Sequence, residues 1–460
     1  MSMQADTGME SARPVAEMFP SGRPPRPELD RFYRPPPGFA RFAPGTILRS
    51  RKVELALFGR VPQKISAWQL LYRTNNLHGS AEAAVTTVLL PWGADPDEPR
   101  PLVSFQCAID GVSSQCLPSY ALRRGARALG SIPQVELPVI AYALASGWAI
   151  SVPDHGGLSG HFGVPREPAY RSLDAIRASL NFTPLGLTDS TPVALWGYSG
   201  GGLATAWTAE LAAEYAPELD IVGAVAGSPV GDLGAAFARL NGTFFAGFAT
   251  VCVAGLRRAY PDLDHILRAH LKSEFLDLLA DAESRTTLHL LFRLMGKNID
   301  NYSHSSFADL LAEPGLQRIL ADIRPGTRAP AMPMLVIQGV NDELIAVDDI
   351  DHHVARYAIR GAHVRYLRDR LSLHMPLQFI GAPVTMHWLA DRFDQRPLPA
   401  AGTETVWSVA FTKREVLGHW RFARLFARML AGRPIRRCSP ASATAISPDC
   451  SSEPCSRVRS

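Results

Sequence analysis

Five residues, Gly197-Tyr198-Ser199-Gly200-Gly201, set a serine between glycines two positions away on either side. The apolar run 193–196 precedes them and a helical pattern starting near Leu203 follows. A strand, a tight turn and a helix present a hydroxyl at the tip of a strained bend. Side chains two positions to either side would clash there, and Gly197 and Gly201 leave the room. The helix start then aims backbone N–H groups, that of Gly200 first, at negative charge developing on a bound carbonyl. A phosphate-binding loop fits less well, because no lysine follows the glycines. The alternative is a glycine-rich turn with an incidental serine. The strand and helix around it favour Ser199 as a nucleophile.

A serine hydroxyl attacks poorly near neutral pH without a general base, and the base needs an orienting carboxylate. On a strand–serine–helix scaffold the chain order is Ser, acid, His. Downstream, the apolar run 334–338 ends in Gly339-Val340-Asn341-Asp342-Glu343, and Asp342 is the first acid after it. The end of a sheet strand is where ligands meet such a fold. Glu343 should point elsewhere, and Asp348, Asp349 and Asp351 read as a helix start. The candidates for the base are His352, His353, His363, His374 and His387. His374 lies in the loop after the strand-like run 364–367. His387 sits inside a helical pattern and reads as a packed residue. The expected relay is Ser199, His374 and Asp342.

An oxyanion needs a second donor beside the Gly200 N–H. The run 148–153 ends in Asp154-His155-Gly156-Gly157, which offers the Asp154 backbone N–H or its side chain. The competing reading of that segment is a polar loop shaped by its two glycines.

These residues need strands to carry them. Apolar runs at 67–73, 84–91, 102–109, 148–153, 193–196, 221–226, 334–338 and 364–367 alternate with helical patterns at 137–146, 171–180 and 203–215. The expectation is an α/β fold, a mainly parallel central sheet flanked by helices, with an antiparallel start. Residues 232–330 break the rhythm with helical patterns alone and read as an inserted lid or a rigid cap. The predicted division is 1–37 disordered and rich in Pro and Arg, 38–231 the first part of the core, 232–330 the insertion and 331–397 the rest of the core. A C-terminal extension, 398–437, and a disordered tail, 438–460, complete the chain.

The segments Val152-Pro153-Asp154-His155-Gly156, Gly197-Tyr198-Ser199-Gly200-Gly201, Tyr215-Ala216-Pro217-Glu218-Leu219-Asp220, Leu240-Asn241-Gly242, Asn341-Asp342-Glu343 and Gly381-Ala382-Pro383 together resemble the secretory lipases of the lipase A type. The likeness runs from about residue 40 to about residue 395. It implies an α/β-hydrolase core with a helical lid inserted late in the sheet. It implies a triad at Ser199, Asp342 and His374, and an oxyanion hole at Asp154 and Gly200. Hydrolysis of acylglycerols and simpler esters, with no metal and no cofactor, is the activity it implies.

Composition narrows the partners. A net charge of +4 over 460 residues does not mark the whole chain as a nucleic-acid binder. No apolar run is long enough to span a membrane, and the first thirty residues hold no apolar signal core. The expectation is a cytoplasmic or cell-associated protein with a lipid ester as substrate. Six cysteines without a C-x-x-C pair argue against a zinc site, and Cys107 and Cys116 are close enough in sequence to pair across a loop. Residues 411–437 interleave Trp420, Phe422, Leu425 and Met429 with arginines. Such a basic amphipathic helix either lies on an anionic membrane or packs its apolar side on the domain. An acyltransferase using the same triad, a serine peptidase and a non-catalytic lipid-binding protein are the competing readings of the whole chain.

Overall fold

The computed structural model describes residues 23–437. Twelve strands appear in chain order: β1 (Ile47–Lys52), β2 (Leu55–Leu57), β3 (Val61–Gln63), β4 (Ser66–Asn75), β5 (Ala81–Leu90), β6 (Leu102–Gln106), β7 (Ala149–Pro153), β8 (Val193–Tyr198), β9 (Ile221–Gly227), β10 (Met334–Gly339), β11 (Val364–Asp369) and β12 (Gly402–Val406). Ten form one sheet, in the order β1-β4-β5-β7-β6-β8-β9-β10-β11-β12, and β2 and β3 form a separate hairpin. The pairs from β1 to β7 are antiparallel. The pairs from β7 through to β12 are parallel. The antiparallel opening and parallel body agree with the strand pattern of the sequence.

Period-two alternation explains why both faces are covered. Val193 and Leu195 of β8 and Met334 and Val336 of β10 join one apolar cluster, beneath the helices Glu167–Leu180, Gly200–Tyr215 and Val347–Ile359. Ala194, Trp196, Leu335 and Ile337 point the other way, into a cluster with the helices Ile132–Ala145, Ala382–Phe393 and Lys413–Leu430. Strands apolar on both faces are the mark of a covered parallel sheet.

Between β9 and β10 the chain forms helices from Leu233–Leu240 to Pro314–Asp322, with no sheet strand among them. Its return is pinned by buried Glu210. That carboxylate accepts the N–H groups of Gly326 (2.6 Å), Thr327 (3.1 Å) and Arg328 (3.2 Å), and the Tyr357 hydroxyl at 2.8 Å.

Three expectations need correction. Residues 23–37 are not an unpacked segment: Asp30 caps the short turn Arg31–Tyr33, and Phe32 and Tyr33 are buried. The Arg51 guanidinium stacks 4.0 Å over Phe32 and pairs with Asp30 at 2.8 Å. Residues 1–22 and the tail from 438 lie outside the described residues. The core does not end at 397, because β12 pairs with β11 and the helix Lys413–Leu430 buries Leu425 and Met429 against the sheet's covering helices. Cys107 and Cys116 are both buried free thiols, each in its own apolar cluster.

If that helix is part of the core, Met429→Ala should lower the unfolding free energy by about 2–5 kcal/mol. Arg424→Ala on its solvent face should change it by less than about 0.5 kcal/mol. Urea denaturation of both variants checks this, and equal small effects would return the helix to the status of an appendage.

Candidate active site

Ser199 follows β8 with φ 54° and ψ −121°, and the helix Gly200–Tyr215 begins at the next residue. A positive φ on a serine costs on the order of 1–3 kcal/mol and persists only where the surroundings enforce it. A side chain at Gly197 would run into the Gly201 carbonyl, and one at Gly201 into the Gln106 carbonyl. The helix starts three residues earlier than its apolar pattern suggested, so its free N-terminal amides open directly beside Ser199.

The structure brings the three relay residues together. His374 Nε2 lies 2.9 Å from Ser199 Oγ, and His374 Nδ1 lies 2.7 Å from Asp342 Oδ2. Asp342 Oδ1 accepts the N–H groups of Leu344 (2.9 Å) and Ile345 (2.8 Å), and Oδ2 also accepts from Gln338 Nε2 at 3.1 Å. Burial alone would raise the Asp342 carboxyl. The His374 ring and the two backbone donors outweigh it and hold the group below the ordinary 3.8. An ionised, fully bonded Asp342 fixes the proton on Nδ1 and leaves Nε2 free to accept from the serine. Glu343 points elsewhere, as expected, and accepts the His374 backbone N–H at 2.9 Å. Tyr198 adds a third hold, its hydroxyl donating to the His374 carbonyl at 2.5 Å. Of the other histidines, His387 pairs with Glu415 at 2.9 Å, His363 bonds the Pro399 carbonyl at 2.9 Å, His353 is buried in a helix and His352 is exposed.

Asp154 does not serve as the second donor. Its backbone N–H is spent on the Val85 carbonyl at 2.8 Å, continuing the β5–β7 ladder. Its carboxyl accepts the Ser119 N–H at 2.9 Å and the Ser119 hydroxyl. His155 behind it reaches the Cys107 carbonyl (2.7 Å), and buried Arg171 holds the His155 carbonyl at 3.0 Å. The loop is a structural brace.

Asp110 stands where Asp154 was expected. It follows β6, carries φ 39° and is 5% exposed. Its carboxyl lies so close to Gly200 that a side chain there would collide with it. Among the described residues no group hydrogen-bonds that carboxyl. Burial pushes it up to about 6, with the nearby His374 pulling it down. Its protonated form offers an O–H into the same cleft as Ser199 and Gly200. A sequence signal existed: Asp110 is the first acid after the run 102–109, the criterion that selected Asp342.

The cleft has a free volume of about 60 Å³ and is otherwise apolar, lined by Phe162, Val230, Phe237, Leu240, Phe248 and Ile345 among others. Leu233, Phe237 and Cys252 also line a second apolar cavity of about 50 Å³ inside the helical insertion. Among the described residues no cluster of His, Cys, Asp and Glu could hold a metal. No helix there is long and apolar enough to cross a membrane.

Comparisons with known proteins bear on the family and the fold. The family model described as secretory lipase matches residues 122–400. A Mycobacterium tuberculosis protein named probable inactive lipase is 47% identical over 427 residues, covering 90% of this chain and 96% of its own. Lipase A of Arthroderma benhamiae is 36% identical over 383 residues, covering 80% of each. The closed-state structure of Candida antarctica lipase A superimposes with a TM-score of 0.79 at 28% identity, covering 90% of this chain and 99% of that one. The fold is that of an α/β-hydrolase.

Burial of carboxyls around the site sets a stability profile. It raises Glu136 from 4.5 to about 8 and Asp154 from 3.8 to about 7, partly offset by hydrogen bonds from Ala108 and Ser119. The folded chain therefore holds protons that the unfolded chain has released, and stability falls as pH rises through each interval. Burial lowers His155 to about 4 and His353 to about 3, which acts in the opposite sense, but only below 6.5. Between 6.5 and about 8 the carboxyls dominate. The thermal midpoint should fall across that interval, and Asp154→Asn should flatten the fall. A midpoint that climbs there contradicts the assignment.

Proposed function

The chain belongs to the secretory lipase family, and on that premise we propose that it hydrolyses carboxylic esters of lipids through an acyl-enzyme on Ser199. The observation that carries the reading is the unbroken relay from Asp342 through His374 to Ser199 at a strained turn. In the proposed cycle Ser199 Oγ attacks the ester carbonyl carbon while its proton passes to His374 Nε2. The carbonyl oxygen becomes an oxyanion between the Gly200 N–H and the protonated Asp110. Collapse breaks the bond to the alcohol, which leaves with the proton from His374. Water then repeats the sequence and releases the acid.

The apolar cleft supports a lipid substrate. An acyl chain entering beside Phe162 and Phe237 has an apolar path toward the cavity in the insertion. Such a chain gains about 0.8 kcal/mol for each buried methylene. The insertion is then the lid or cap of the site, and exposed Phe244 and Phe292 on it face solvent.

A second reading, a hydrolase-like protein that binds lipid without cleaving it, is favoured by the name of the Mycobacterium tuberculosis relative. Hydrolysis of p-nitrophenyl esters from acetyl to palmitoyl, by wild type and Ser199→Ala in parallel, separates the two. Activity that disappears in the variant supports the acyl-enzyme. Equal activity in both removes Ser199 from the reaction, and binding of a long-chain ester without turnover favours the second reading.

Asp110 donates only when protonated, a state that is lost as pH rises through about 6. The kcat/KM of wild type should therefore decline above that pH. Asp110→Asn keeps a donor at every pH and should remove the decline. Asp110→Ala should cost roughly 10²–10³ in kcat, the usual effect of losing one oxyanion donor. An unchanged pH profile in Asp110→Asn would assign the oxyanion to other groups.

A further inference from the structure

The helix Lys413–Leu430 has two apolar sides, and the fold uses one. Phe422, Leu425, Phe426 and Met429 pack inward against the covering helices, and the Tyr142 hydroxyl donates to the Gly418 carbonyl at 3.1 Å. Leu417, Trp420 and Arg424, spaced i, i+3 and i+7, share the opposite face. Leu417 is 60% exposed and Trp420 is 68% exposed. Arg421 and Arg424 flank them, exposed, and no carboxylate among the described residues lies within ion-pair distance of either.

Further exposed apolar residues lie along the chain between the cleft and the helix. The segment that enters the helix exposes Trp407 at 65% and Phe411 at 67%. The Arg370 guanidinium stacks 5.3 Å from the Trp407 ring. From Arg370 the chain runs through exposed Leu371 and Leu373 directly into His374. Trp407 also follows the C-terminal end of β12, and in a parallel sheet that end faces the same way as Ser199 and Asp342.

We propose that this face docks on an anionic lipid surface and sets the rim of the Ser199 cleft against it. Exposed tryptophan and leucine enter the interface, while unpaired arginines meet acidic headgroups. Charge complementarity selects a bilayer over a second copy of the chain, because two copies of this face would oppose arginine to arginine. The purpose of docking rests on the lipase reading. The docking itself does not, and the test keeps the two apart.

The experiment uses the full chain carrying Ser199→Ala, so that lipid is not consumed. It is sedimented with vesicles of phosphatidylcholine alone, or of phosphatidylcholine and phosphatidylglycerol in equal parts. The expected result is binding to the mixed vesicles, at least tenfold weaker on phosphatidylcholine alone, and weakened by added salt. Each arginine near an anionic surface contributes a factor of roughly five. Arg421→Gln with Arg424→Gln should therefore lower binding more than tenfold, and Leu417→Ala with Trp420→Ala should lower it several-fold. In the Ser199-containing background neither pair should change hydrolysis of a soluble acetyl ester. Absence of binding to both vesicles, or equal binding by all variants, overturns the proposal. So does a self-associated chain that Trp420→Ala converts to monomer. If the acetyl ester is not hydrolysed at all while vesicle binding stands, the lipase reading fails and the docking surface remains.

Discussion

The Gln106 carbonyl at the end of β6 lies so near Gly201 that any side chain there would strike it. This is backbone against backbone, and it sets how the turn after β8 can sit. Gln106 is also the register partner of Gly197, and Thr205 Oγ1 bridges the Gly201 carbonyl and the Gln106 side chain at 2.9 Å each. With three points held, the chain can leave β8 only by the bend that throws Ser199 to positive φ. The same closeness brings the residues after β6 to the start of the helix, so the nucleophile and Asp110 are located by one contact. Only glycine at 197 and 201 allows it.

What could be read in advance follows from where each residue sits in the sheet. β8 and β10 are buried on both faces, so their apolar runs stand out against the loops. β12 reads Gly-Thr-Glu-Thr-Val at an exposed edge and has no apolar side to reveal it. The segment 23–37 is rich in proline and arginine, and that average conceals Phe32 and Tyr33, which Arg51 holds down by stacking and charge. Asp342 and His374 were legible because chain order and strand ends suffice to place them. The role of Asp110 in place of Asp154 was not. Each ends a parallel strand, and they differ in which strand lies beside β8. The order β7-β6-β8 is a tertiary fact, and it puts Asp110 next to Gly200 while Asp154 is left bracing Ser119.

Buried carboxyls here fall into two kinds. Asp342 is met by three donors besides the histidine and stays ionised in spite of its burial. Asp110 meets none among the described residues, and burial carries it toward the neutral acid. An anion to steady the histidine and an acid to face the oxyanion are thus made from one residue type by the balance of burial against hydrogen bonds and the histidine's charge. Glu136 adds a link between them. It accepts the Ala108 N–H on the loop to Asp110 at 3.0 Å, and Gln378, one helical turn beyond His374, donates to it at 2.8 Å.

Glu210 has a mechanical consequence. Its carboxylate clamps three successive backbone amides where the helical insertion returns, and Tyr357 holds the same group from the far side. The clamp stands upstream of β10 and of the Asp342 loop, so it works as a strain-relief anchor on a cable. Tension along the chain from the insertion meets this anchor at residues 326–328 before it reaches the strand that carries the acid. The return of the insertion is thereby tied both to the helix that begins at Gly200 and to the helix that follows the Asp342 loop.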